Sequence, residues 1–295
     1  MIDTEQKLKL IMNSALEAAM PKDKFKFLPA KPKGKLIVLG AGKAAASMAA
    51  EFEKVYNHSL EGIVITRYGH YTKTKVIKVL EASHPKPDQA GLEATKILFD
   101  LAKNAKKDDH IVFLISGGAS SLLTLPLDGV SFEEKQRINT ELLISGAAID
   151  KMNIVRRSLS QIKGGRLAQA IYPAQMTTYM ISDIPGDDPA YIGSGPTIQA
   201  IGRNEDAISI LDDYKIRISK QVEKVILSNT LPKLKIFPQH MLATPMMALK
   251  SAAKMAEKQG YIPIILSDYL EGEAYIEGKK MAELAISIKK NKKYN

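Results

Sequence analysis

The feature that most constrains the fold is an uninterrupted apolar run at residues 111–115 that leads directly into Ser116-Gly117-Gly118. A strand without polar positions is typical of a sheet that is covered on both faces. A second run, residues 36–39, leads into the glycine turn Gly40-Ala41-Gly42-Lys43 and then into an Ala-rich helical segment. A strand, a glycine turn and a helix in this order indicate βαβ units and a largely parallel sheet.

The remaining periodicity supports the same fold class, α/β. Short apolar runs predict further strands at residues 63–65, 76–80, 177–181 and 262–266. Helical spacing and end signals predict helices at residues 5–20, 89–103, 131–145, 204–213, 219–228, 244–260 and 271–289. Ligands of such sheets bind beyond the carboxyl ends of the strands, so the loops that follow the strands are the candidates for a site.

The composition excludes several classes of chemistry. The 295 residues include no Cys, which rules out disulfides, thiolate zinc sites and cysteine nucleophiles. The net charge is +10, but arginines are few and only 6% of the residues are aromatic. We therefore expect a lysine coat that favours anionic ligands, and no nucleic-acid partner. Without a signal segment or an apolar run of about 18 residues, we expect a soluble cytoplasmic protein with no membrane contact.

The turn Gly40-Ala41-Gly42-Lys43 places a lysine at a helix N-terminus, where the helix dipole disfavours a cation by about 0.3–1 kcal/mol. An anion held there by free backbone N–H groups would explain Lys43, whereas a tight turn with a solvated lysine is the plainer alternative. The turn is not a P-loop, because Ala44 has no hydroxyl for magnesium. Gly40, Gly42 and Ala45 also fit a dinucleotide pattern, and Arg67 stands where an NADP-binding protein can place an arginine.

Two further segments carry small or basic side chains. The loop Ser116-Gly117-Gly118-Ala119-Ser120 brings hydroxyls and backbone donors together, which suits phosphate or carboxylate, although a glycine-rich turn with capping serines has the same residues. Asn153, Arg156 and Lys163 would share about one face of an unbroken helix. They are either anion contacts or part of a solvated basic helix.

A group of carboxylates follows the predicted strand at residues 177–181. Asp183 and Asp187 are candidate Mg²⁺ ligands, because this ion usually takes one or two carboxylates together with phosphate oxygens. Asp, Pro and Gly in such a run are also ordinary turn residues. Ser194 lies in another loop of small residues, and the five histidines show no metal-ligand spacing.

Taken together and in this order, these segments resemble the type II glycerate 2-kinase family, whose C-terminal portion is called the MOFRL domain. No single segment is specific, but six in one order are. The matching segments cover nearly the whole chain and are Gly40-Ala41-Gly42-Lys43-Ala44, Ser83-His84-Pro85-Lys86-Pro87-Asp88, Leu114-Ile115-Ser116-Gly117-Gly118, Asn153-Ile154-Val155-Arg156 with Gln161-Ile162-Lys163-Gly164-Gly165, Ser182-Asp183-Ile184-Pro185-Gly186-Asp187-Asp188 with Ser194-Gly195-Pro196-Thr197, and Glu271-Gly272-Glu273-Ala274.

The resemblance implies phosphoryl transfer from ATP, with Mg²⁺, to the 2-hydroxyl of D-glycerate. It implies that Lys43 stabilises charge on the transferring phosphoryl group and that the loop at residues 116–120 cradles phosphate or the glycerate carboxylate. We assign Arg156 and Lys163 to anion contacts, and Asp183 and Asp187 to metal or hydroxyl contacts. The implied fold is a Rossmann-like three-layer sandwich at residues 1–238, followed by an incomplete second domain, a helix–strand–helix at residues 239–295.

The sequence departs from the family pattern in two places. Ala119 stands where the family usually has a third glycine, which would cost about 1 kcal/mol if that position needs a positive φ. The chain also ends close to where the family's C-terminal domain would begin. We therefore expect the missing wall of the site to come from a homodimer partner or a separate chain. An NADP-dependent hydroxypyruvate reductase and a non-catalytic, anion-binding half of a split enzyme remain the alternatives.

Overall fold

The computed structural model describes residues 3–200 and 203–291, and in this part of the chain six parallel strands form one sheet. The strand order is β3-β2-β1-β4-β5-β6, and every neighbouring pair is parallel. The strands are β1 (Leu36–Ala41), β2 (Glu61–Arg67), β3 (Lys78–Ala82), β4 (His110–Ser116), β5 (Gln175–Ile181) and β6 (Gln239–Ala243). The predicted α/β fold with a parallel sheet is confirmed, and the order reverses between β1 and β4, where ligands of such sheets bind.

Helices separate most of these strands, but in the described residues none lies between β2 and β3, whereas four lie between β4 and β5. The helices are α1 (Thr4–Ala19), α2 (Ala45–Val55), α3 (Gln89–Lys103), α4 (Ala119–Leu122), α5 (Phe132–Ile144), α6 (Ile149–Ser158), α7 (Arg166–Ile171), α8 (Asn204–Asp213), α9 (Lys220–Ser228), α10 (Pro245–Lys258) and α11 (Ala274–Asn291). Two short 3-10 turns, Pro185–Asp187 and Ile192–Ser194, follow β5. None of the helices in the described ranges is long and apolar enough for a bilayer span.

The central strands are buried on both faces, which explains their uninterrupted apolar sequences. Alternate side chains of β1 enter two different cores: Ile37 and Leu39 pack in the cluster that includes residues of α3 and α7, whereas Val38 packs with Phe52 of α2. All six residues of β1 are buried. Because successive side chains of a strand point to opposite faces, helices must cover both sides of this sheet.

A third apolar cluster holds α5, α6, α8 and α9 together beside the sheet. It contains Ile138 and Leu142 of α5, Val155 of α6 and Leu211 of α8. Helix α5 begins at the predicted cap, where Ser131 Oγ accepts a hydrogen bond of 3.0 Å from the backbone N–H of Glu134. The packing of this cluster positions α5 and α6. Helix α6 contains the predicted site residues Asn153 and Arg156.

The contacts divide the chain into two compact units, residues 21–244 and residues 1–20 with 245–295. In the second unit α1 packs on α10, and Ser14 Oγ lies 2.8 Å from Ser251 Oγ. Strand β6 belongs to the sheet unit. The domain boundary that the sequence analysis places after residue 238 stays a prediction. The predicted strand at residues 262–266 is wrong: these residues form no strand, and Ile262 is 74% exposed. An apolar pattern forms a strand only where a neighbouring strand satisfies its backbone groups.

Gly40→Ala tests the close approach of β1 and β4. A Cβ atom at Gly40 would lie 2.5 Å from the carbonyl oxygen of Leu114 and 3.1 Å from Val64 Cγ1. We expect the substitution to reduce the free energy of unfolding by about 1–3 kcal/mol, measured by urea denaturation. The control is Gly278→Ala, in α11, where a Cβ meets nothing within 4 Å. Equal stability of Gly40→Ala and the wild-type chain would contradict this packing.

Candidate active site

Three loops that the sequence singles out lie side by side at the carboxyl edge of the sheet. They follow β1, β4 and β5, which are neighbours in the sheet and run in register, with Ala41 opposite Ile115 and Ile115 opposite Met180. The loops therefore start at the same level. This register brings the turn that carries Lys43, the serine-glycine loop and the aspartate segment into one place.

The closest contact among these loops is an ion pair between Lys43 and Asp183. Lys43 Nζ donates a hydrogen bond of 2.7 Å to Asp183 Oδ2, and the two side chains are 38% and 43% exposed. A surface pair of this kind adds little to stability. Solvent access on both partners leaves both charges available to a ligand.

Glycines make this arrangement possible. A Cβ atom at Gly117 would overlap the Asp183 carboxylate, and a Cβ atom at Gly42 would overlap Ser116. Gly118 has a φ of +84°, and a Cβ there would lie 3.2 Å from Lys43 Cγ and 2.9 Å from His84 Cδ2. Larger residues at these positions would push Asp183, Ser116 or His84 away. The glycines at positions 42, 117 and 118 therefore leave space for the side chains of Ser116, Asp183 and His84. This is a second reason for glycine at these positions, in addition to its backbone flexibility.

The first turn differs from the sequence interpretation in one respect, because its backbone N–H groups are not free. Gly42 N donates to Ile65 O at 3.1 Å, Lys43 N donates to Gly117 O at 2.8 Å, and Ala44 N donates to Ser116 Oγ at 3.0 Å. The donors that would hold a pyrophosphate in a dinucleotide-binding turn are thus used inside the protein. An anion near this turn has to be bound by side chains, with Lys43 foremost.

Ser120, Ser194 and Asn153 form a second polar group on the other side of the serine-glycine loop. Ser194 Oγ donates to Asn153 Oδ1 at 2.7 Å and lies 3.0 Å from Ser120 Oγ. Ser194 is fully buried and has a φ of +64°, an uncommon conformation for a residue with a side chain. Ala119 opens α4, and it is not among the residues of positive φ, so the predicted strain at this position does not arise.

Lys163 lies beyond the end of α6, so Asn153, Arg156 and Lys163 do not share one unbroken helix. The helix stops at Ser158, and Lys163 turns its amine under the short helix α4. Lys163 Nζ donates to the carbonyl oxygens of Ser120 at 2.6 Å and Leu123 at 2.7 Å. It thus holds the serine-glycine loop from below while being 1% exposed.

Arg156 brings in two residues that the sequence analysis missed, Asn139 and Lys135. Arg156 Nε donates to Asn139 Oδ1 at 2.8 Å. One helical turn before Asn139 lies Lys135, which is 8% exposed and whose Nζ has no hydrogen-bond partner. The sequence contains a signal for this burial, because Lys135, Ile138 and Leu142 have the spacing of one helix face.

Burial and mutual repulsion control the protonation of these basic groups. Burial lowers the pKa of Lys135 to about 7 and lowers the pKa of Arg156. The pKa of Lys163 lies well below its usual value because of burial and the nearby positive charges of Lys135 and Arg156. At the opposite end of the site, burial and the charges of Lys43 and Arg67 lower the pKa of His84, although Asp183 opposes them.

The aspartate segment offers oxygen ligands but no complete metal cage. Asp187 has a φ of +53°, and its Oδ1 is buried without a hydrogen-bond partner. In the described ranges there is no group of three or more histidines and carboxylates that could hold a metal ion. Asp183 and Asp187 alone match the donor set that Mg²⁺ uses when substrate phosphates and water complete its shell.

A separate cavity of about 600 Å³ is lined by Phe99, Asp128, Arg166 and Asn229, among others. Arg166 Nη1 donates to the carbonyl oxygens of Arg157 and Lys163, while its Nε and Nη2 are buried without partners. Lys43, Asp183 and the serine-glycine loop are not in its lining. The predicted site is therefore not this cavity but the loop edge.

Comparisons with known proteins identify relatives of this chain by sequence and by fold. Residues 7–227 match the family described as "Domain of unknown function (DUF4147)". A D-glycerate 2-kinase of Thermotoga maritima is 35% identical over 98% of this chain and 71% of its own length. A protein of Agrobacterium vitis, provisionally named a hydroxypyruvate reductase, is 42% identical over 98% of this chain and 67% of its own. The crystal structure of a Thermotoga maritima glycerate kinase superposes with a TM-score of 0.86 and 34% identity, covering 97% of this chain and 70% of that one.

Lys135→Met tests the burial of this uncompensated amine. Between pH 7 and about 10 the unfolded chain binds a proton at Lys135 that the folded chain lacks, so wild-type stability gains up to about 1.4 kcal/mol per pH unit from this residue. Below pH 7 the buried amine is charged and its full cost is present. We expect Lys135→Met to be more stable than wild type at pH 6.5, with an advantage that shrinks toward pH 9.

Urea denaturation at four pH values measures this difference. Lys96→Met, at an exposed position of α3, is the matched control and should follow the wild-type pH dependence. Parallel curves for Lys135→Met and wild type would show that the amine of Lys135 is solvated.

Proposed function

The chain belongs to the glycerate 2-kinase family, and from this premise we propose that it transfers the γ-phosphoryl group of ATP to the 2-hydroxyl of D-glycerate. The observation that carries the proposal is the Lys43–Asp183 pair at the carboxyl edge of the sheet. A cation beside a carboxylate is what in-line phosphoryl transfer to an alcohol requires. The ammonium stabilises negative charge on the transferring group, and the carboxylate contacts the attacking hydroxyl.

In this reaction the hydroxyl oxygen of glycerate bonds to the γ-phosphorus while the bond from phosphorus to the bridging oxygen breaks and ADP leaves. We assign Asp183 to accept the hydroxyl proton, and Lys43 to balance charge on the phosphoryl oxygens. The loop at residues 116–120 contacts Asp183 at Gly117 and Ser194 at Ser120. It is thus suited to separate the phosphate end of the site from the acceptor end.

Asp183 and Asp187 would hold Mg²⁺, and the buried, unpartnered Oδ1 of Asp187 supports this assignment. When bound, the ion would neutralise charge on the nucleotide phosphates. Asp187 lies four residues after Asp183 in the same loop, which follows β5. Because this loop begins at the carboxyl edge of the sheet, it can present both carboxylates on the nucleotide side of the site.

A reductase is the alternative that the name of the Agrobacterium vitis relative raises. The geometry gives it less support, because the backbone donors of the first glycine turn are already bonded within the protein. A cofactor pyrophosphate would have to break the bonds of Lys43 N and Ala44 N to bind there. We therefore propose kinase chemistry and keep reductase activity as an outcome of the test.

The location and the partner also remain proposals. We propose that the chain acts in the cytoplasm and that a second copy, or a separate chain with a C-terminal domain, completes the site. The Thermotoga maritima relative is longer than the aligned region, which covers 71% of it. An added wall would exclude water and strengthen the contacts of the exposed Lys43–Asp183 pair.

Lys43→Met tests the kinase assignment. We expect wild-type chain with ATP, Mg²⁺ and D-glycerate to form phosphoglycerate, detected by ³¹P NMR, and Lys43→Met to lower kcat by a factor of about 10²–10³. The unfolding midpoint should not change much, because the pair is exposed. Lys96→Met should retain full activity, since its side chain is exposed and distant in the sequence from every site loop.

The same preparations distinguish the alternatives. Hydroxypyruvate-dependent oxidation of NADPH without phosphoglycerate formation would replace the kinase by the reductase. Binding of D-glycerate without either reaction would identify a non-catalytic, anion-binding chain. Full kinase activity of Lys43→Met would contradict the role given to Lys43.

A further inference from the structure

Three basic side chains meet beside the serine-glycine loop, and we call Lys135, Arg156 and Lys163 the cation cluster. Lys135 is 8% exposed, and its ammonium nitrogen has no hydrogen-bond partner. A buried ammonium without a partner is strongly disfavoured, and its neighbours would normally include a carboxylate. The phosphoryl-transfer steps proposed above give none of these three residues a role.

The hydrogen bonds show that the three residues share one place. Lys135 lies one turn before Asn139, and Asn139 Oδ1 accepts the hydrogen bond from Arg156 Nε. Arg156 lies one turn after Asn153, which accepts from Ser194. The chain of contacts continues from Ser194 to Ser120, whose carbonyl oxygen accepts from Lys163 Nζ. Side chains from α5, α6, α4 and two loops thus converge.

No acidic side chain balances the cluster in the described part of the chain. Burial is the only influence on the pKa of Lys135 and of Arg156, and the pKa of Lys163 responds to burial and to the positive charges of these same two residues. The nearest polar partners are neutral: Asn139, Asn153, Ser120 and Ser194. Three basic groups that share one place without an acidic partner among the described residues can bind an anion.

The cluster retains donors for such an anion. An ammonium has three donors, and Lys163 Nζ uses two of them on the carbonyl oxygens of Ser120 and Leu123. Arg156 uses Nε on Asn139, and Lys135 uses none of its donors. A planar carboxylate, with two oxygens that accept several hydrogen bonds each, matches a fork of one guanidinium and two ammonium groups.

We propose that Lys135, together with Arg156 and Lys163, binds the carboxylate group of the acceptor substrate, and that Lys135 takes up a proton when this anion binds. The proposal rests on the proposed function for the identity of the acceptor. Its position fits that role, since Asp183 lies against Gly117 and Lys163 Nζ bonds to the carbonyl oxygen of Ser120, three residues further along the same loop. An acceptor held by its carboxylate at the cluster can present a hydroxyl toward the Lys43–Asp183 pair.

Proton uptake follows from the charges that face Lys135. With a pKa of about 7, and with Arg156 and Lys163 beside it, Lys135 in the empty site is largely neutral above pH 7. A bound carboxylate favours the charged form and raises this pKa. Binding is therefore tightest below pH 7. Above pH 7 the affinity falls, by up to tenfold per pH unit, until the pH reaches the pKa of Lys135 in the complex.

Calorimetric titration of D-glycerate in two buffers of different ionisation enthalpy measures the proton directly. At pH 8 we expect wild type to take up more protons per carboxylate bound than at pH 6, where Lys135 is already charged. Lys135→Met should bind D-glycerate at least tenfold more weakly at pH 6.5 and take up about one proton fewer than wild type at pH 8. Lys96→Met, the exposed control, should behave as wild type does.

Wild-type chain labelled with ¹⁵N-lysine provides a second readout that needs no variant. One lysine Nζ resonance should titrate near pH 7 and move to a higher pKa when D-glycerate is added. Sulfate, which does not titrate in this range, represents phosphate. If sulfate or ATP raises the pKa of this resonance but D-glycerate does not, the carboxylate assignment is overturned. The cation cluster would then be a site for the phosphate groups of the nucleotide.

The failures of the two proposals are distinguishable. Phosphoglycerate formation together with D-glycerate binding that takes up no proton would overturn the role of Lys135 and leave the kinase intact. Tight, proton-linked D-glycerate binding without phosphoglycerate would overturn the kinase and leave the cation cluster as a carboxylate site. Absence of binding by D-glycerate and by sulfate would overturn the anion site itself.

Discussion

The site depends on one close contact, the one between the loop after β1 and the loop after β4. Lys43 N donates to Gly117 O, Ala44 N donates to Ser116 Oγ, and the space for a side chain at Gly42 is filled by Ser116. These bonds join two loops that the parallel register already places at one level. Because the backbone is held in this way, the Lys43 side chain extends past the glycines to Asp183, in the loop after β5.

The second feature of the site is that positive charge is balanced by a carboxylate at Lys43 but not at the cation cluster. At one end Lys43 has a carboxylate partner in Asp183, and both groups are partly exposed. At the other end Lys135, Arg156 and Lys163 are packed among neutral polar groups without an acid. Burying like charges together lowers the free energy of unfolding. We therefore interpret the arrangement as one that favours anion binding at the expense of folding stability. The two ends suit the two charged parts of a reaction that joins a phosphate to a carboxylate-bearing alcohol.

Much of the fold and part of the site could be predicted from the sequence because they depend on local patterns. The apolar runs of β1 and β4 and the glycines after them indicated the parallel sheet, its carboxyl edge and the place of Lys43 and Asp183. Strand β6 was missed because its five residues include Gln239 and His240 and lack a clear apolar run. The strand predicted at residues 262–266 has the apolar run but no neighbouring strand. Helical spacing could indicate the burial of Lys135. The contact of Lys163 with Ser120 and Leu123 depends on the tertiary structure, which no short window of sequence contains.

A crystal structure of the chain with D-glycerate and a non-hydrolysable ATP analogue tests the central claim most directly. The account predicts the glycerate carboxylate within about 3 Å of Lys135 Nζ and of Arg156 or Lys163, and the γ-phosphate beside Lys43. A carboxylate bound at Lys43, or a ligand seated in the cavity lined by Phe99 and Arg166, would contradict it.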